Sequence, residues 1–352
     1  MKLPRYRTGD DDLDLAVAAL VERVADDDAD LVFELVVSAL RLGRDHADRG
    51  DLKLANAALK EMRYSFQVFA PYRSARKVAI FGSARTQAED PLYVQARELA
   101  SAMAAYDWMV VTGAGPGIME AGLEGAGPDH SFGVSINLPF ETTTSQFIAG
   151  DPKLVNFRYF FTRKLEFVKE SDAFVLLPGG FGTMDEAFEL LTLLQTGKAQ
   201  PSPVILLDTP GGTYWEHWCR FVRHEMGESG YISEEDFRLL KVTDSVDVAV
   251  DEILGFYSNF HSQRFVEGLL VLRLRELPDA AALAAINRDF ADIVVRGEIE
   301  PVATTPAERD DGDHVDLARL GMRFDRHDWS RLRVLIDRLN GRDRALAPAP
   351  TD

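Results

Sequence analysis

Between residues 76 and 258 the chain alternates short, nearly continuous apolar runs with longer segments of helical character. Apolar runs without an in–out alternation are typical of strands that are buried on both faces of a parallel sheet. The pattern predicts strands at residues 78–81, 109–112, 132–136, 173–177 and 204–207, with helices at 91–106, 116–126, 158–170, 185–196 and from about 214. We therefore expect an α/β fold with a Rossmann-like, doubly wound parallel sheet.

Both ends of the chain depart from this alternation. Apolar residues recur at helical spacing in the first part, so residues 1–75 are predicted to form a helical N-terminal extension of about three helices. The acidic clusters at residues 10–12 and 26–28 are expected to cap these helices. Residues 259–344 are predicted to form a small α+β C-terminal region, and residues 345–352 a disordered tail. Within that region the acidic segment 304–314 is expected to be a solvated hairpin loop.

Composition narrows the classes of partner. The 39 basic and 57 acidic residues give a net charge of -18, which repels phosphate backbones and anionic lipid, so we expect neither nucleic acid nor a membrane as partner. The one cysteine, Cys219, excludes an intrachain disulfide and is typical of a protein of the reducing cytoplasm. The seven histidines are scattered, and His217 near Cys219 has no further ligand at metal-binding spacing, so no metal is expected.

The turn after the fourth predicted strand gives the strongest functional signal. It reads Pro178-Gly179-Gly180-Phe181-Gly182-Thr183 and leads into a helix. Such a turn leaves several backbone N–H groups unpaired at the positive end of a helix dipole, which favours binding of an anion such as phosphate. Glu186 follows one step into this helix, where a carboxylate either caps the helix or faces the crevice beyond the sheet.

Other strand ends contribute glycines and polar residues to the same edge of the sheet. The first strand ends at Gly82-Ser83, and the second is followed by Gly113 and Gly115. Ile118 occupies the last glycine position of the dinucleotide fingerprint, so binding of NAD is disfavoured, and no P-loop spacing is present. The helix before the fourth strand carries Arg163 and Lys164, which are either ordinary surface cations or ligands of the phosphate.

Arg163-Lys164, a strand, and then Pro-Gly-Gly-x-Gly-Thr-x-x-Glu ending at Glu186 together resemble the signature of the Lonely Guy (LOG) phosphoribohydrolases, long labelled possible lysine decarboxylases. The supporting segments 81–83, 113–119 and 138–141 come in the family's order, although Ala114 stands where a triple-glycine stretch is usual. The resemblance covers residues 77–250 and implies that residues 76–258 are a nucleotide-binding catalytic domain.

The resemblance implies hydrolysis of the N-glycosidic bond of an adenine-type nucleoside 5'-monophosphate, AMP or a cytokinin riboside 5'-monophosphate, to free base and ribose 5-phosphate. It implies Arg163 and Glu186 as the catalytic pair. The substrate would be bound by Gly82, Ser83, Gly113, Gly115, Glu141, Lys164, Gly179, Gly180, Gly182, Thr183 and Thr192. No cofactor is implied, and the family assembles as homodimers or larger homo-oligomers.

Two other classes of function compete with hydrolysis. A nucleotide-sensing protein of the same fold would bind the ligand without turning it over. A decarboxylase dependent on pyridoxal phosphate would need a lysine that forms a Schiff base, and Lys164 lacks the surrounding apparatus. The base that a hydrolase would release is left open by the sequence.

Overall fold

The computed structural model describes residues 2–25, 27–137 and 144–342. The chain divides into two compact units, with the division between Tyr64 and Ser65. The predicted tail at 345–352 lies outside the described residues, so its disorder stays a prediction. The domain boundaries expected at residues 75 and 258 also stay predictions.

The first unit is helical, as predicted. It contains α1 (Asp11–Val21), α2 (Ala29–Arg44) and most of α3 (Arg49–Phe69), with a small core between α1 and α2. Asp10 caps α1, since its carboxylate accepts a hydrogen bond from the Leu13 N–H at 3.1 Å. The same expectation is wrong for Asp28, which precedes α2 with a φ of 54° and caps no N–H with its side chain.

The second unit is built on a seven-stranded sheet in which every pairing is parallel. Its strands are β1 (Lys77–Phe81), β2 (Met109–Thr112), β3 (Ser131–Ile136), β4 (Leu154–Phe157), β5 (Ala173–Leu176), β6 (Val204–Leu207) and β7 (Leu240–Thr243). The spatial order is β4-β3-β2-β1-β5-β6-β7. The winding reverses between β1 and β5, and ligands of such sheets bind beyond the carboxyl ends of the strands at this switch point.

Helices cover both faces of the sheet. They are α4 (Pro91–Ala105), α5 (Ile118–Ala126), α6 (Phe160–Glu170), α7 (Phe181–Gln195), α8 (Tyr214–Val222) and α9 (Val246–Phe256). Leu99, Ile118 and Ile253 pack on one face, whereas Phe167 and Trp215 pack on the other. The doubly wound α/β fold is thereby confirmed. One boundary matters for the site: α7 begins at Phe181, four residues before the predicted start, so its first turn includes Gly182 and Thr183.

The C-terminal region is α+β, as predicted. An antiparallel sheet of order β10-β11-β9-β8 combines β8 (Phe260–Val266), β9 (Leu269–Leu274), β10 (Val294–Pro301) and β11 (Ala318–Phe324). It is accompanied by α10 (Ala280–Asp289), α11 (Pro306–Asp310) and α12 (Trp329–Leu339). Its core residues Leu272 and Leu335 belong to the same cluster as Ile205 of β6. The two sheets of this unit therefore share one hydrophobic core.

The segment 304–314 differs from its prediction. Instead of a fully solvated loop, it contains α11, and the Glu308 side chain is completely buried. The Glu308 carboxylate lies 2.8 Å from an Nη of Arg273 and 3.3 Å from Nε of Arg319, both of which are buried. Two guanidinium groups thus compensate the desolvation of this carboxylate, a tertiary arrangement that acidic spacing in the sequence does not reveal.

Candidate functional site

A cleft of about 1050 Å³ opens at the carboxyl ends of the central strands. Its walls come from the loops after β1, β2, β3 and β5 and from the first turns of α6 and α7. Among the predicted site residues it brings together Gly82, Ser83, Gly113, Gly115, Arg163, Gly179, Gly180, Gly182, Thr183 and Glu186. Residues from four separate strand ends therefore face one space, as expected at the switch point.

The turn between β5 and α7 has the geometry of an anion site. The N–H groups of the first turn of α7, at residues 181–183, have no intrahelical acceptor by the geometry of a helix, and Gly180 at the N-cap position supplies no side-chain cap. A Cβ added to Gly179 would clash with Thr183 Oγ1 and lie 3.0 Å from the Ser83 nitrogen, so only glycine fits there. Gly180 and Gly182 face open space. These N–H groups are accordingly available to an anion.

The loops after β1 and β2 are fixed against this turn. The Ser83 N–H donates to the Pro178 carbonyl at 3.3 Å, and the Ser83 carbonyl accepts from the Ile118 N–H at 3.1 Å. Gly117, with a φ of +68°, passes so close to the Ser83 carbonyl that a Cβ would clash. Ala114 has a φ of 58°, a left-handed conformation that glycine adopts more easily than alanine.

Arg163 and Glu186 form a buried ion pair at the cleft, with 3.1 Å between an Nη of Arg163 and Oε1 of Glu186. The guanidinium lies over the rings of Phe160 and Phe167, at 5.0 and 5.7 Å from their centres. Its Nε is buried and has no hydrogen-bond partner in the described part of the chain. The site thus offers an unused donor beside a carboxylate, both held on rigid helices.

Burial shifts the ionisation of both partners. Desolvation lowers the pKa of Arg163, which Glu186 partly offsets. Desolvation also raises the pKa of Glu186 above its ordinary value, although Lys164 and Arg163 counteract this effect. Glu186 is therefore a stronger proton acceptor than an exposed carboxylate and still pairs with a cation.

Lys164, predicted to bind the substrate, pairs with carboxylates of α7 in the structure. It does not line the cleft; its ammonium lies 2.9 Å from Asp185, 3.6 Å from Glu186 and 2.5 Å from Glu189, all on α7. Burial alone would lower its pKa, but hydrogen bonds with Glu189 and Asp185 raise it overall, so the ammonium stays charged. In this geometry the Lys164 ammonium pairs with carboxylates of α7, and its contact with a substrate stays a prediction.

Two other residues were predicted to bind the substrate, Thr192 and Glu141. Thr192 is exposed farther along α7, where its hydroxyl donates to the Phe188 carbonyl at 2.7 Å, so it does not contact the cleft. Glu141 lies outside the described residues.

The lining also includes polar residues that were not predicted as site residues, among them Arg85, Thr144 and Asn156. Arg85 comes two residues after Ser83, a position from which the sequence could have suggested it. Asn156 lies on β4, an edge strand that the apolar pattern did not indicate.

Metal-binding clusters and membrane-spanning helices are absent from the described ranges 2–25, 27–137 and 144–342. These ranges contain no group of three or more His, Cys, Asp or Glu side chains placed to hold a metal ion. No helix in these ranges is both long and apolar enough to span a membrane. Cys219 is buried, and desolvation raises the pKa of its thiol to about 11.

Solved structures with a related arrangement include two that concern the molybdenum cofactor. A molybdenum cofactor binding protein from Rippkaea orientalis is 19% identical, with a TM-score of 0.37, over 50% of this chain and 94% of that one. The molybdenum cofactor carrier protein from Chlamydomonas reinhardtii is 22% identical, with a TM-score of 0.35, over 51% of this chain and 98% of that one.

Curated relatives share shorter segments. A probable cytokinin riboside 5'-monophosphate phosphoribohydrolase from Oryza sativa subsp. japonica is 35% identical over 107 residues, 30% of this chain and 48% of the relative. A cytokinin riboside 5'-monophosphate phosphoribohydrolase from Arabidopsis thaliana is 42% identical over 71 residues. The match covers 20% of this chain and 32% of the relative. A pyrimidine/purine nucleotide 5'-monophosphate nucleosidase from Escherichia coli (strain K12) is 30% identical over 167 residues. The match covers 45% of this chain and 36% of the relative.

The chain thus spans between about a third and a half of the length of these relatives. The model of the family described as possible lysine decarboxylase matches residues 114–253. These include Arg163, Glu186 and the turn at residues 178–183, called the glycine turn below. Residues 114–253 of this chain are therefore similar to the LOG family, and the chain extends beyond this segment on both sides.

Proposed function

We propose that the protein is a phosphoribohydrolase that cleaves the N-glycosidic bond of an adenine-type nucleoside 5'-monophosphate, AMP or a cytokinin riboside 5'-monophosphate, and releases free base and ribose 5-phosphate. The observation that carries the proposal is the buried Arg163–Glu186 pair, which shares one cleft with the unpaired N–H groups of the glycine turn. The names of the plant and bacterial relatives support the same reaction class.

Different residues of the cleft bind different parts of the substrate. Gly179, Gly180, Gly182 and Thr183 hold the 5'-phosphate at the first turn of α7. The phosphate then fixes the ribose so that its anomeric carbon faces Glu186 and Arg163. Gly82, Ser83, Gly113 and Gly115 let the substrate approach the backbone closely at the adjoining strand ends.

Glu186 has the chemistry that the bond cleavage requires. Its carboxylate stabilises positive charge that develops on the ribose ring and accepts a proton from the attacking water. The electron pair of the broken C1'–N bond goes to the base, the hydroxyl of water bonds to C1', and the proton that Glu186 accepted passes to the base, which restores the carboxylate. The Arg163 guanidinium, which lines the cleft beside Glu186, stabilises the negative charge that builds up on the departing base.

Lys164 contributes indirectly. Its ammonium balances the carboxylates of Asp185, Glu186 and Glu189, which would otherwise repel one another on one helix face. The same contacts argue against a decarboxylase, because a lysine must lose its proton to form a Schiff base, and these carboxylates favour the protonated form.

Exposed apolar residues in and near the cleft support assembly into a homodimer or larger homo-oligomer. On α6, Phe160, Phe161 and Leu165 are exposed, and on α7 Phe181 is 96% exposed. Exposed aromatic residues grouped in this way are typical of interfaces between subunits. Sedimentation analysis tests the assembly, and a monomer at micromolar concentration would contradict it. We also propose that the protein is cytoplasmic.

A substrate panel tests the proposed reaction. The purified chain is incubated with AMP, isopentenyladenosine monophosphate and pyrimidine nucleoside monophosphates, and free base and ribose 5-phosphate are quantified by chromatography. We expect equimolar base and ribose 5-phosphate from at least one adenine-type substrate. Binding of these nucleotides without release of base from any of them would instead identify a nucleotide sensor.

A further inference from the structure

The glycine turn is fastened from the side opposite to the cleft by a single tyrosine. The Tyr214 hydroxyl donates a hydrogen bond to the Gly179 carbonyl at 2.6 Å. Gly179 and Gly180 line the cleft, whereas Tyr214 does not. The contact therefore reaches the turn from behind, where a bound substrate would not touch it.

The start of α8 holds Tyr214 in place. Asp208, buried just after β6, accepts the N–H of Tyr214 at 2.9 Å and that of Trp215 at 3.4 Å. The tyrosine ring packs edge-on against Trp215, with 4.9 Å between ring centres. The hydroxyl is accordingly presented to Gly179 from a fixed helix end.

A hydrogen bond to this carbonyl controls the direction of the next N–H. The peptide unit is planar and trans, so the Gly179 carbonyl and the Gly180 N–H point in opposite directions. With the carbonyl held toward Tyr214, the N–H points to the cleft side, and no backbone acceptor in the described ranges pairs with it.

Nothing in the local sequence would otherwise hold this peptide plane. Rotating it by half a turn changes ψ of Gly179 and φ of Gly180, and both residues are glycines, which tolerate almost any backbone angle. A flipped plane would present the carbonyl oxygen to the cleft, where it would repel an anion.

We propose that Tyr214 is a positioning residue that locks the Gly179–Gly180 peptide with its N–H toward the 5'-phosphate. The inference rests on the proposed function, in that the turn is taken to bind the phosphate of the substrate. It adds a specific role for a residue outside the cleft: Tyr214 sets the affinity for the phosphate group and leaves the groups that act on the glycosidic bond unchanged.

The chain offers a matched control. Tyr257 donates its hydroxyl to the Asp172 carbonyl at 2.7 Å, just before β5, whereas Gly179 lies just after that strand. Tyr214→Phe and Tyr257→Phe therefore remove the same kind of hydrogen bond at the two ends of one strand, and each keeps its ring. Only the first lies at the carboxyl edge of the sheet.

Calorimetric titration of both variants and the parent with inorganic phosphate, ribose 5-phosphate and ribose tests the proposal. We expect Tyr214→Phe to weaken binding of the two phosphorylated ligands about fivefold to tenfold, the effect of losing one hydrogen bond, and to leave ribose unchanged. With a nucleotide substrate, KM rises similarly while kcat changes little. Tyr257→Phe should bind all three ligands as the parent does.

Equal phosphate affinity in Tyr214→Phe and the parent would overturn the inference, as would equal weakening in Tyr257→Phe or a parent that binds no phosphorylated ligand. A parent that binds ribose 5-phosphate but releases no base from any nucleotide would refute the proposed hydrolase alone. The affinities of the two variants would then still decide the role of Tyr214.

Discussion

Replacing Glu308 by glutamine should destabilise the C-terminal region in a manner that depends on pH. Glu308 is fully buried and pairs with Arg273 and Arg319, and it also accepts hydrogen bonds from the backbone and side chain of Thr305. Burial alone would raise the pKa of this carboxyl, but the hydrogen bonds and cations lower it from 4.5 to about 2. The change corresponds to about 3 kcal/mol of stability at neutral pH.

The direction of the pH dependence follows from the lowered pKa. The stability is fully present above the pKa of the unfolded chain, near 4.5, and is lost as the pH falls toward about 2. Between pH 7 and pH 3.5 the parent should lose about 1 kcal/mol of stability through this group, which the glutamine variant cannot lose. The difference in unfolding free energy between the parent and Glu308→Gln should therefore be smaller at pH 3.5 than at pH 7 by the same amount.

Urea unfolding followed by circular dichroism at several pH values measures both quantities. Glu300→Gln, at an exposed position of β10, is the control and should match the parent at every pH. A Glu308→Gln variant that loses less than about 1 kcal/mol at pH 7, or a difference that stays constant down to pH 3.5, would refute the account of this buried network.

Two further substitutions test the cleft. Gly179→Ala should weaken binding of ribose 5-phosphate by at least about 100-fold, because its Cβ clashes within the turn; unchanged affinity in a calorimetric titration would contradict this close fit. Lys164→Met should move the acidic limb of the rate profile to higher pH. Without the ammonium the pKa of Glu186 rises further, so the carboxylate is protonated at a higher pH. An acidic limb of the kcat/KM profile at the same pH as in the parent would contradict the role of Glu186 as a base.

The centre of the sheet could be predicted from the sequence because its strands are buried on both faces and therefore read as unbroken apolar runs. The edge strands β4 and β7 could not. Residues 154–157 include the exposed Asn156, and all four residues of β7 are only partly buried, so neither segment shows the continuous apolar signal of a central strand. The strand β8 was missed as well, because His261, Gln263 and Arg264 interrupt its apolar pattern.

The turn and the pair Arg163–Glu186 could be found from local spacing and from family resemblance. The position of Lys164 could not, because its carboxylate partners lie on another helix and depend on how α6 packs against α7. Tyr214 gives no local signal at all, since its hydroxyl meets a carbonyl that is 35 residues away in sequence. Long-range contacts of this kind become visible only when the chain is folded.

Release of adenine and ribose 5-phosphate from AMP by the parent, Glu186→Gln and Glu252→Gln tests the central claim most directly. Glu252 pairs with Arg333 at 2.5 Å in a buried site away from the cleft, so its variant controls for the loss of any buried ion pair. We predict equimolar products from the parent and from Glu252→Gln, and a rate at least about 100-fold lower from Glu186→Gln, which stays folded. Equal rates in the parent and Glu186→Gln would contradict it, as would a parent that binds AMP and isopentenyladenosine monophosphate but releases base from neither.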